Sequence, residues 1–225
     1  MKRLALFTVV IASGSMVTGP ALFAKAPTHW DGLVQVKSKR LDLVYLQPGA
    51  DFRGYTKVMV EPTEIAFAKN WRRDYNRDSG ALSRRVSERD MQEAISEGVK
   101  AAHDIFTAAW TTGGYAVVSE PGPDVLRVKT GIINITVTAP DQTTAGRSYS
   151  FSREAGSATL FVEARDSLTG ALIGRAVDHE IAGENSTAWR TAGSNRADFR
   201  EMVEKWAKIS VSGVTELKSL PVTPP

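Results

Sequence analysis

The sequence predicts an α+β domain of two layers, an antiparallel or mixed β-sheet with two amphipathic helices packed on one face. Three observations lead to this class. Short runs with period-two alternation, closed by Gly, Pro and Asp turns, recur along the chain. Two longer stretches carry apolar residues at helical spacing instead. Each of those has a single apolar stripe, which one sheet surface can cover.

Residues 27–54 read as an extended lead-in, a short strand or arm laid over the domain, with a turn at Pro48-Gly49. A single domain is expected over 55–218. It opens with a strand over Tyr55–Glu61, Val58 and Val60 sharing one face and Pro62 closing it; Ile65, Phe67 and Trp71 continue it after a bend. Asn70–Arg85 is so polar that it reads as an exposed loop. Ser87 then has the position of a helix N-cap, with Asp90 as the acid of a capping box. Met91, Ile95, Ala102, Phe106, Ala109 and Trp110 give the following helix its stripe, and Gly113-Gly114 ends it.

Tyr115–Ser119 reads as a short strand and Pro121-Gly122-Pro123 as a turn. Val125–Thr138 is a long strand in which Ile133, Ile135 and Val137 alternate with Asn134, Thr136 and Thr138. After a polar loop over Ala139–Arg153, Ala158–Arg165 and Ala171–Ile181 form a hairpin around Asp166–Gly170. Ser194 or Asn195 is expected to cap the last helix, whose stripe is Phe199, Met202, Val203, Trp206 and Ile209 and whose end falls near Val211 or Leu217. Glu201 and Lys205 form an expected surface pair on it. Residues 219–225 read as a disordered tail.

Ahead of this domain, residues 1–26 have the three parts of an export signal: Lys2 and Arg3, an apolar run from Leu4 to Ala12, and small residues after the helix-breaking Gly19-Pro20. Cleavage is expected between residues 21 and 26. The uncharged stretch Leu4–Ala24 approaches the ~20 residues that span a bilayer, but Ser13, Gly14, Ser15, Thr18, Gly19 and Pro20 favour a cleaved leader over a retained anchor. The expected location is the periplasm or the medium, with no membrane span after cleavage. There is no cysteine, which excludes a lipid-modified Cys, a disulfide or a thiolate nucleophile. The net charge of +3 corresponds to Lys2, Arg3 and Lys25, which precede the first acidic residue, Asp31. From Pro27 onward cations and anions balance, so nucleic acid is not an expected partner.

No catalytic residue, metal ligand or cofactor motif stands out. The best candidate binding segment comprises Trp71, Arg72, Arg73, Tyr75 and Arg77, because Arg and aromatic side chains together stack and make bidentate hydrogen bonds. The competing reading is a solvated loop whose aromatics fold back on the sheet while the arginines pair with Asp74 and Asp78. Those same arginines are the only basis for a nucleic-acid reading. Asp178 and Glu180, on one face of a strand with His179 on the other, are the strongest enzymatic suggestion. They would suit an envelope-polymer hydrolase. The leading expectation is a non-catalytic binding domain whose partner is an envelope protein or polymer.

Trp30-Asp31-Gly32-Leu33, the run Tyr45–Tyr55 and Val58-Met59-Val60-Glu61-Pro62 with Trp71 resemble the exported bacterial family catalogued as domain of unknown function 3313. Gly113-Gly114-Tyr115 and Pro121–Arg127 are similar too. The resemblance implies an envelope protein and carries no activity, substrate or catalytic residue. Many members are predicted lipoproteins, a pattern from which this cysteine-free chain departs.

Overall fold

The computed structural model describes residues 26–78, 85–137, 154–183 and 192–219. The expected leader up to residue 25, the whole of the loop expected over 139–153 and the tail from 220 onward lie outside them. Nine strands form one sheet: β1 (His29–Trp30), β2 (Leu33–Val36), β3 (Leu43–Leu46), β4 (Lys57–Val60), β5 (Glu64–Phe67), β6 (Ala116–Val117), β7 (Val125–Val137), β8 (Gly156–Asp166) and β9 (Leu172–Ala182). Among the described residues three helices complete the fold: α1 (Trp71–Asp78), α2 (Glu88–Thr112) and α3 (Ala192–Ser219). The strand order is β1-β2-β3-β9-β8-β7-β4-β6, with β5 also paired to β7. β4 and β5 lie parallel to β7 and β6 lies parallel to β4, while the other pairings are antiparallel. The expected α+β class with a mixed sheet is what forms.

One face of the sheet supplies Val58, Leu126, Val128, Ile132, Ala158 and Leu160 to the core. α2 covers it with Ala102, Phe106 and Trp110, and α3 with Met202, Val203, Trp206 and Ala207. Ser87 accepts from the Asp90 amide, and the Asp90 carboxylate accepts from the Ser87 amide, so the expected capping box starts α2. Two buried hydroxyls between β4 and β5 and on β7, Thr63 and Thr130, satisfy each other at 2.8 Å.

Several elements depart from the sequence reading. The lead-in 27–54, expected to be one short strand or an extended arm laid over the domain, folds into three strands, β1, β2 and β3, and β3 is hydrogen-bonded to β9. Asp31 and Gly32, at φ 52° and 81°, make a two-residue hairpin turn between Trp30 and Leu33. Positive φ at both positions matches the twist of the strands, which is why Asp-Gly suits it. Trp71–Asp78 is a helix and not a loop. The alternation of β7 breaks at Asn134 (φ 53°), where the register on β8 slips. Leu126, Val128, Thr130 and Ile132 are buried before the bulge and Ile135 after it, so Ile133 does not share the core face of Ile135. α3 begins before the expected caps, placing Asn195 inside the helix, and continues to Ser219. Lys205, expected to pair with Glu201, reaches Glu180 of β9.

Candidate functional site

All five residues of the predicted binding segment lie on α1. Its sequence is dominated by charge and no residue on it is buried. Aromatic contacts hold it down. Phe67, at the end of β5, stacks on Trp71 at 4.7 Å, and Tyr75 follows one turn later at 5.2 Å from Trp71. The Trp71 indole donates to the Val137 carbonyl at 3.3 Å. Asn76 exchanges two hydrogen bonds with the backbone of Val86, tying α1 to the approach of α2. Arg72 reaches Glu88 at 3.0 Å. The outer surface is left to Arg73 and Arg77, whose side chains are 70% and 67% exposed. Both pair with Asp74, and Arg77 also with Asp78. Such exposed pairs are worth at most ~1 kcal/mol, so a better anion can displace them. The segment therefore divides: Trp71 and Tyr75 anchor the helix, Arg72 braces it, and Arg73 and Arg77 face outward.

Asp178 and Glu180 do share a face, with His179 opposite and 3.3 Å from the Thr159 hydroxyl. That face lies under α3. Asp178 is buried; it accepts from the Trp206 indole at 2.8 Å and from the Asp42 amide at 2.9 Å. Glu180 is paired with Lys205. Both carboxylates hold α3 to the sheet, and neither lines either of the two most prominent concavities among the described residues.

The larger concavity was not foreseen. It is a groove of about 940 Å³ between α2 and α3, on the side of the helices away from the sheet. The helices run in the same direction: Lys218 in the last turn of α3 lies over the Tyr115 ring just beyond α2. Ala101, Ile105, Ala108, Ala109 and Val211 form an apolar floor. The rims are charged, with Glu97, Lys100 and Asp104 along α2 and Arg200, Glu204 and Lys208 along α3. A smaller depression of about 310 Å³ on the opposite sheet face holds Glu61, Arg127, Lys129, Glu163 and Arg165. Its charges are spent internally, since Arg127 pairs with Glu61, Lys129 with Glu64 and Arg165 with Glu163.

Residues 23–209 match the family model described as protein of unknown function DUF3313. The chain belongs to the DUF3313 family. No curated protein matches it. Among solved structures, this DUF3313 chain is similar to a PelC dodecamer from Paraburkholderia phytofirmans at 13% identity and TM-score 0.36, covering 79% of this chain and 98% of that one. A Xanthomonas campestris protein assigned to domain of unknown function 330 gives 12%, 0.41, 76% and 87% for the same measures. A putative neuraminyllactose-binding hemagglutinin homolog from Helicobacter pylori gives 14%, 0.32, 76% and 87%.

The segments that resemble the DUF3313 family have structural work in this member. Trp30 and Asp31 grip Arg175 of β9, the guanidinium lying 4.1 Å from the Trp30 ring and donating to Asp31 at 2.8 Å. Phe52 is buried in the core. Tyr55 donates to Asp166 at 3.0 Å, Thr56 to Asp124 at 2.6 Å, and Ser167 to the Gly122 carbonyl at 2.9 Å. The runs around Tyr55 and Pro121–Arg127 thus meet the β8–β9 turn at one end of the sheet. Burial, then the bond to Asp166, pushes the Tyr55 phenol up to about 12.

Proposed function

We propose that this DUF3313 chain is an exported envelope protein that binds another envelope component, a protein or an anionic polymer, through the outer surface of α1. The observation that carries the reading is the division of labour on that helix. An aromatic ladder fixes the backbone, while Arg73 and Arg77 stand exposed and, among the described residues, pair only with exposed carboxylates of their own helix. Guanidinium groups held in this way are suited to bidentate pairing with carboxylate or phosphate. A hydrolase built on Asp178 and Glu180 gains no support, because Asp178 is buried against Trp206.

The test is affinity capture from envelope extracts with wild type beside an Arg73→Ala, Arg77→Ala variant, which leaves the anchoring aromatics intact. Loss of specific partners at unchanged thermal stability is expected. Recovery of the same partners in the same yield would place the binding surface elsewhere. Export is tested by cell fractionation with N-terminal sequencing. A product starting between residues 22 and 27 outside the cytoplasm is expected, and an uncut cytoplasmic product would refute it.

A further inference from the structure

We draw no further inference here: the strongest candidate, the apolar groove between α2 and α3 on the side of the helices away from the sheet, has rim charges that complement each other within one chain, and nothing in the structure shows what covers it.

Discussion

Glu163 and Arg175 face each other across β8 and β9 with side chains only 9% and 6% exposed. One carboxylate oxygen of Glu163 accepts from Arg175 and the other from Arg165. Arg175 continues to Asp31 and lies under the Trp30 ring. Removing one member of such a network strands its partner. Arg175→Met is therefore expected to lower unfolding free energy by about 3–5 kcal/mol in urea titrations; a loss below ~1 kcal/mol would show the network to be peripheral. Burial opposes ionisation of Glu163, but the two arginines outweigh it and hold its carboxyl below the ordinary value of 4.5. The unfolded state then binds more protons than the folded state in the acid range. This contribution is present above pH 4.5 and is lost as pH falls through the folded pKa. Glu163→Gln should flatten that acid limb of the stability profile. Tyr55 has the opposite sign: its phenol, raised from 10.0 to about 12, contributes fully below pH 10.0 and loses the contribution as pH climbs through about 12. Tyrosinate absorbance should show one late-ionising phenol that is missing in Tyr55→Phe.

Among the elements, α2 was legible because its signals are local: a cap, an acid three residues on, and a stripe at helical spacing. Ser87→Ala should cost about 1 kcal/mol, read as a shift of the urea midpoint. α1 was not legible, since Arg, Asp and Asn fill six of its eight residues and its fixing contacts come from Phe67, Val137 and Val86. The one available clue was the spacing of four between Trp71 and Tyr75. The Asn134 bulge was hidden for a different reason: alternation is visible on either side of it, and a slip of one residue leaves no mark in composition. Glycines within the elements make the contrast testable. A Cβ at Gly156, with φ at 153°, would lie 1.9 Å from the Thr136 carbonyl oxygen, so Gly156→Ala should prevent soluble folding. A Cβ at Gly213, within α3, meets nothing within 4 Å. Gly213→Ala should add about 0.5–1 kcal/mol through helix propensity; a loss there would indicate a contact on that side of α3.

For the molecule as a whole, the layer arrangement followed from stripe counting, but strand order did not. Nothing around Tyr45 announces that it will lie opposite Arg175. The groove was equally hidden, because it depends on two helices far apart in the sequence, one ending at Thr112 and the other starting at Ala192, running side by side in the same direction. That strand order has a consequence for how the chain is made. β1, β2 and β3 are finished early, yet their place in the sheet is the edge of β9, which appears about 130 residues later, or roughly 6–26 s at the usual pace of synthesis. The first three strands can form their own hairpins in that interval but have nothing to dock on. A chain stopped at Gly170 should accordingly show no cooperative urea transition, whereas a sharp one would mean that the sheet closes without β9. Assembly is thus timed from the C-terminal side. The growing chain carries an unfinished sheet edge for most of its synthesis, and β9 closes it by joining β3 to β8 in one step.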